Sequence, residues 1–264
     1  FGEEAIKPGI IKEGEIKDKE GLAGVIKEAI KKIKGEKLKT KYVVASLPEE
    51  KAFLQVIRLP KMSEEDLRAA VVFEAENYIP LPIDEVYLDY QIVRPLANHL
   101  DHLDILLAAL PKSTVDPYLA CLSAAGLNPQ SLEIESMSIG RALIKNEVSP
   151  SSVLLIDLGA TRTSFIVYSG TSLRFTSSIP VSSQHFTQMI SKTLNISFSE
   201  AEKLKIKYGL IPDNKLNIFK ILIPALVDLV QQIKKHLDYY QSHPFHEHLG
   251  KEGAGASGVV GDEF

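Results

Sequence analysis

The stretch VLLIDLGATRTSFIVYS, residues 153–169, decides the fold. Two apolar runs of strong strand propensity, 153–156 and 165–168, flank a polar turn, Asp157-Leu158-Gly159-Ala160-Thr161-Arg162-Thr163. A hairpin turn requires small or flexible residues, but it does not require an acid at the end of an apolar strand followed by two threonines. Two readings of the turn stand side by side. In one it is a solvated hairpin with an Asx-type cap. In the other, Asp157 holds a cation-bound water, while the backbone N–H groups of residues 159–163 and the Thr161 and Thr163 hydroxyls face phosphate oxygens.

Downstream, residues 173–179 alternate as a third strand and 184–194 read as a helix. Ser199-Glu200-Ala201-Glu202 is read as a capping box that opens a helix ending at Gly209. Glu202 and Lys205 are three apart on that helix, so they share a face and present an acceptor and a donor suited to ribose hydroxyls and a base edge. From Ile223 a long amphipathic helix is expected, with Pro224 in its first turn. The end of the chain, residues 243–264, breaks with this pattern and reads as a truncated or disordered tail; His243, His246 and His248 there are not framed by any periodic element.

Upstream, a link at 146–151 is expected to be a hinge between two lobes. Before it come a helix over 136–145, a short strand at 131–134, a helix over 115–125 closed by Gly126, and a buried strand at 103–110. Residues 86–93 alternate as a half-buried strand, and Ser63 with Asp66 starts a helix that Pro80 stops near Tyr78. Strands at 41–46 and 52–58 and an amphipathic helix over 22–33 complete the pass. Glu133 and Glu135, at a strand end, are read as structural or helix-capping. The alternation of strands and helices is that of an α/β layer architecture.

The chain has 264 residues, 45% of them hydrophobic, enough for a sizeable core in one or two domains. Its 30 basic and 34 acidic residues are mixed throughout, so no footprint for nucleic acid is visible. The one cysteine, Cys121, lies among Leu119, Ala120 and Leu122 and reads as a core thiol. No apolar run approaches the roughly 20 residues of a membrane span, and a cytoplasmic protein is expected.

Residues 59–93, LPKMSEEDLRAAVVFEAENYIPLPIDEVYLDYQIV, resemble the type IV pilus assembly protein PilM family, whose members have an actin-like ATPase fold related to FtsA. The turn AAGLNP at 124–129 is similar to the same family. The resemblance implies an α/β, actin-like (ribonuclease H-like) two-lobed fold with a small inserted α+β module, expected to be incomplete at both termini. It divides the chain into a first lobe at 1–150 without its leading strands, including the module at about 42–110, a second lobe at 151–242 with the phosphate hairpin, and the tail at 243–264. It further implies ATP and Mg2+ as ligands: Asp157, Gly159, Ala160, Thr161 and Thr163 at phosphate, Asp157 reaching the metal through water, and Glu202 and Lys205 at ribose and adenine. No hydrolytic base is identified.

The family's role is that of a cytoplasmic scaffold of the pilus platform. It binds the cytoplasmic tail of the inner-membrane protein PilN, beside a strand or in an apolar cleft between module and first lobe, works with other platform proteins and is peripheral to the membrane through them. An FtsA-like membrane tether and a phosphotransferase of the same superfold are the alternatives. Three departures from the family pattern are expected: no first-lobe phosphate loop, Ser182-Ser183 in place of a Gly-Gly, and a glycine loop at 253–257 that follows no buried strand.

Overall fold

A computed structural model describes residues 1–93, 101–212 and 216–242. The expectations for the tail, its histidines and the glycine loop at 253–257 lie outside the described residues. The chain opens with a two-residue hairpin, β1 (Ile11–Lys12) and β2 (Glu15–Ile16), and then α1 (Lys19–Lys31), capped by the Asp18 carboxylate accepting from the Gly21 N–H. β3 (Tyr42–Leu47) and β4 (Phe53–Pro60) follow, joined through a 3-10 turn at Glu49–Lys51. α2 (Glu64–Ala75) begins at Ser63, whose hydroxyl accepts from the Asp66 N–H, as the sequence indicated. β5 (Val86–Val93), β6 (His102–Pro111), α3 (Lys112–Ala124), β7 (Asn128–Ile134) and α4 (Glu135–Leu143) lead to β8 (Ser149–Leu158), β9 (Thr163–Gly170) and β10 (Ser172–Ile179). Three helices close the described chain: α5 (Ser183–Leu194), α6 (Phe198–Tyr208) and α7 (Ile218–Ser242).

The strands form three sheets besides the small hairpin. β4, β6 and β5 make an antiparallel sheet in the order β4-β6-β5, and β8, β9 and β10 make an antiparallel meander with β9 in the middle. β3 pairs in parallel with β7. Of the residues expected to form the module at about 42–110, those of β3 pair with β7, while the β4-β6-β5 sheet starts at Phe53. Local alternation cannot reveal that pairing, because a parallel partner lies a long crossover away in sequence.

Each layer has its own core. Leu67, Val71 and Ala75 recur at helical spacing along α2 and close over Ile57, Ile105, Leu107 and Ala109 of the module sheet. Phe165, Ile179, Phe186, Ile190, Ala201, Ile218 and Leu222 form the second-lobe core. Cys121 is buried against Ile10 and Leu22, and burial pushes its thiol up, as a core residue requires. Two local expectations change. The capping box of α6 is Ser197 with Glu200, and Pro224 sits at the seventh position of α7, where its missing N–H removes the bond to the carbonyl of Lys220.

A further cluster joins the module to the second lobe: Val56, Val93 and Leu106 from one side, Ile166, Tyr168 and Leu173 from the other. Beside it lies a buried ion pair, Arg174 Nη1 to Asp104 Oδ2 at 3.4 Å, with each side chain only 2% exposed. His102 Nε2 and Arg58 Nε stand 3.4 and 4.0 Å from the other Asp104 oxygen. A β-bulge at Leu173/Phe175 makes the contact possible. Leu173 faces the module, so regular alternation would send Arg174 toward α7; the extra residue turns it to the module as well.

Removing one member of a buried pair strands the other without compensation, a loss of about 3–5 kcal/mol. Asp104→Ala is therefore expected to lower the denaturation midpoint sharply, whereas the double replacement Asp104→Leu with Arg174→Met loses less than the single one. Equilibrium denaturation of the single, double and wild-type proteins measures this.

Candidate functional site

The turn between β8 and β9 is short and closed on itself. The Gly159 N–H donates to the Arg162 carbonyl at 3.0 Å, and a Cβ on Gly159 would stand 2.9 Å from that same oxygen, so only glycine allows the approach. Ala160 and Thr161 are exposed at its tip. Among the described residues, no protein acceptor takes the N–H groups of Ala160, Thr161 and Arg162, which leaves a run of consecutive donors suited to an anion. The turn thus fits a phosphate group.

Not every expected ligand faces outward. Thr163 is fully buried and its hydroxyl donates to the Val181 carbonyl at 2.7 Å, so it cannot meet phosphate and instead ties the turn to the segment after β10. A hydroxyl at the first strand position after a turn points into whichever face the ladder dictates, and here that face is the core. The Gly159 N–H is likewise consumed inside the turn. Asp157 and Thr161 are exposed.

The start of α5 clamps the turn from behind. The N–H groups of Ser183 and Gln184 donate to the carbonyls of Gly159 and Ala160, each at 3.0 Å, and the His185 N–H is taken by the Ser182 hydroxyl at 3.2 Å. The helix therefore spends its first donors on protein, and the open N–H groups here are those of the turn itself. Ser182 and Ser183, standing where the resemblance implies Gly-Gly, thus hold structural bonds. Lys205 Nζ donates to the Ser183 hydroxyl at 2.6 Å and pairs with Glu202 at 2.9 Å. Glu202 also accepts from the Thr187 hydroxyl. Burial pushes the Glu202 carboxyl up, but the Thr187 and Lys205 bonds outweigh it and hold it below the ordinary value. The Glu202–Lys205 pair is therefore brought next to the turn through Ser183. A recess of about 400 Å³ opens beside it, lined by Thr161, Ser182, His185 and Asp228 among others.

Across from the turn stand groups the sequence reading passed over. Arg162 reaches Glu50 of the 3-10 turn at 3.5 Å and donates to the Ser178 hydroxyl at 2.8 Å. Glu49 accepts from the Thr176 hydroxyl of β10. Burial raises the Glu49 carboxyl above its ordinary value, with Glu50 adding to the rise and Thr176 and Arg162 opposing it. Glu133 keeps the structural role assigned to it, bonded to Ser138 and Arg141. Glu135 makes no cap bond: it is exposed at the start of α4, and desolvation, followed by the charges of Glu50, Asp157 and Glu49, raises its pKa. A carboxyl with a raised pKa is chemically suited to accept or donate a proton. Its one sequence signal was an acid where β7 gives way to α4.

A carboxyl raised in the folded protein contributes stability below its ordinary value of 4.5, and that contribution is lost as pH rises through the raised value. Glu135→Gln, which cannot ionise, is expected to melt higher than the wild type at pH 7–8, and the gap is expected to close below about pH 4.5. Thermal melts across that range test it.

The family described as type IV pilus assembly protein PilM matches residues 1–251. A chain of the solved PilM-PilN type IV pilus biogenesis complex superposes with a TM-score of 0.78 at 28% identity, over 90% of this chain and 69% of that one. MreB 5 of Spiroplasma citri bound to AMPPNP (TM-score 0.50, 16% identity, 86% and 60% covered) and EutJ of Carboxydothermus hydrogenoformans (0.53, 15%, 89% and 61%) share the fold alone, which is the actin-like ATPase fold. Cell division protein FtsA of Helicobacter pylori strain 26695 is 31% identical over 98 residues, 37% of this chain and 20% of FtsA. FtsA of Enterococcus hirae is 33% identical over 104 residues, 39% of this chain and 24% of that protein. The chain thus spans about a fifth to a quarter of the curated relatives' length. With residues 1–251 matched, the chain belongs to the type IV pilus assembly protein PilM family.

Proposed function

We propose that this chain is a nucleotide-binding scaffold of the type IV pilus platform that captures the cytoplasmic tail of a PilN-like inner-membrane protein. The observation that carries the reading is a groove of about 520 Å³ between the module and the first lobe. Its walls are the edge strands β5, at residues 87–91, and β7, at 131–134; its floor includes Leu106, Ala108, Leu110, Val115, Leu119 and Met137. Each wall strand is hydrogen-bonded on one side only among the described residues. An extended peptide lying there gains main-chain bonds from an edge and places alternate side chains on the apolar floor. The similarity to a chain solved in complex with PilN supports this occupant. Among the described residues no helix is long and apolar enough to cross a membrane, and attachment through the partner's tail gives the scaffold a place at the inner membrane from the cytoplasmic side.

The nucleotide reading rests on the open N–H groups of Ala160, Thr161 and Arg162. These would hold phosphate oxygens, with the Thr161 hydroxyl as a further donor; Asp157 would hold Mg2+ through water, and Glu202 and Lys205 would meet the ribose and base. When bound, ATP with Mg2+ supplies a ligand that spans the turn and favours one arrangement of the lobes. A second reading, slow hydrolysis, is favoured by Glu135, whose carboxyl is held above its ordinary value by desolvation and by the charges of Glu50 and Asp157 and can take a proton from water.

A synthetic PilN-like tail peptide is expected to bind the full-length protein in a fluorescence polarisation titration. Ala108→Arg, which fills the groove floor with a charged side chain, is expected to weaken binding at least tenfold, since an unpaired charge and lost apolar contact each count for more than about 1.4 kcal/mol. Equal binding by the variant and the wild type, or no binding by either, would contradict the groove assignment.

A further inference from the structure

The turn carries a charge that the nucleotide reading leaves without a role. Arg162 sits in the same turn as the open N–H groups, and its guanidinium crosses from the second lobe to Glu50 of the first, at 3.5 Å. Besides Glu50 it has one hydrogen bond, to the Ser178 hydroxyl, so most of its five donors meet no protein acceptor among the described residues. Its side chain is 37% exposed, while that of Glu50 is 15% exposed, so the base is the member open to a ligand from solvent. Glu49 and Glu50 of the 3-10 turn, Asp157 at the end of β8 and Glu135 lie around this spot, with Glu50 and Asp157 adding to the raised carboxyl of Glu135 and Glu50 to that of Glu49. A polyphosphate approaching the turn therefore meets a wall of carboxylates. Arg162 is the cation at that wall, and in the structure its charge is spent on Glu50.

We propose that Arg162 is a phosphate-responsive strap: it ties the turn to Glu50 across the lobes, and a polyphosphate on the turn takes the guanidinium away from Glu50. The inference rests on the nucleotide reading above and adds to it a competition between an internal carboxylate and the ligand. Guanidinium binds a phosphate with two parallel bonds, which the single 3.5 Å approach to Glu50 does not offer, so the exchange favours the ligand once it is present. Release of Glu50 then loosens the contact between the 3-10 turn and β8–β9, which gives nucleotide a direct mechanical consequence between the lobes. Thr176 with Glu49 remains as a second tie.

The competition has a sign that a simple phosphate ligand would not produce. In the full-length protein, titrated with MANT-ATP and Mg2+ and followed by fluorescence, Glu50→Gln is expected to bind about three- to fivefold more tightly than wild type, the range a partly exposed ion pair allows. Arg162→Gln is expected to bind about tenfold more weakly, and Arg162→Lys, which keeps the charge but loses the fork, to fall between Arg162→Gln and wild type. The conservative lysine variant keeps the test available should the glutamine variant fold poorly. Unchanged or weaker binding by Glu50→Gln, with wild-type binding intact, overturns the strap and leaves the nucleotide reading standing. No MANT-ATP binding by the wild type overturns both.

Discussion

The arrangement depends on one face of β10. Arg174, Thr176 and Ser178 point to the same side of that strand, and they meet in turn Asp104 of the module, Glu49 of the first lobe and Arg162 of the turn. The opposite side carries Phe175 and Ser177 to α7, where Phe175 lies 5.7 Å from the Tyr239 ring and the Ser177 hydroxyl 2.9 Å from His236 Nε2. A strand's period of two would place Arg174 on the same side as Thr176 and Ser178, but it would then set Leu173 toward α7. The bulge at Leu173/Phe175 lets Leu173 and Arg174 both reach the module. One irregular residue therefore makes a single strand the common wall of three bodies.

This has a consequence for how the two proposed sites relate. The groove floor uses Leu106, Ala108 and Leu110 of β6, and the same strand carries Asp104 two residues away from Leu106. At the other end of β10, Ser178 holds Arg162 of the turn. The two proposed sites are thus connected by two strands and a buried ion pair. Packed interiors of this kind shift between discrete arrangements and do not deform gradually. The link at 146–151, expected to be a hinge, is largely drawn into structure: Ser149 begins β8, and Tyr168 donates its hydroxyl to the Glu147 carbonyl.

Much of the architecture was legible because it is local. Apolar residues at helical spacing marked α1, α2 and α7, and strict alternation marked β5; Ser63 with Asp66 marked the start of α2. The α6 cap was misplaced by two residues because Ser197-x-x-Glu200 and Ser199-x-x-Glu202 satisfy the same pattern, and only the packing of Ala201 in the core decides between them. Non-local facts were not legible. The parallel pairing of β3 with β7, the burial of Arg174, and the convergence of Glu49, Glu50 and Glu135 on the turn join residues far apart in sequence. The turn itself was legible as chemistry but not as geometry. Its residue types pointed to phosphate, yet only the ladder register shows that Thr163 turns inward while Ala160 and Thr161 remain open.

The most direct test of the central claim, that the groove between module and first lobe is where the partner is captured, is amide hydrogen exchange of the full-length protein with and without a PilN-like tail peptide. An added strand satisfies the edge donors it pairs with and slows their exchange. The account predicts protection confined to residues 86–93 and 128–134, with the β8–β9 turn changing less. Protection elsewhere, with both edge strands exchanging as in the free protein, would contradict it.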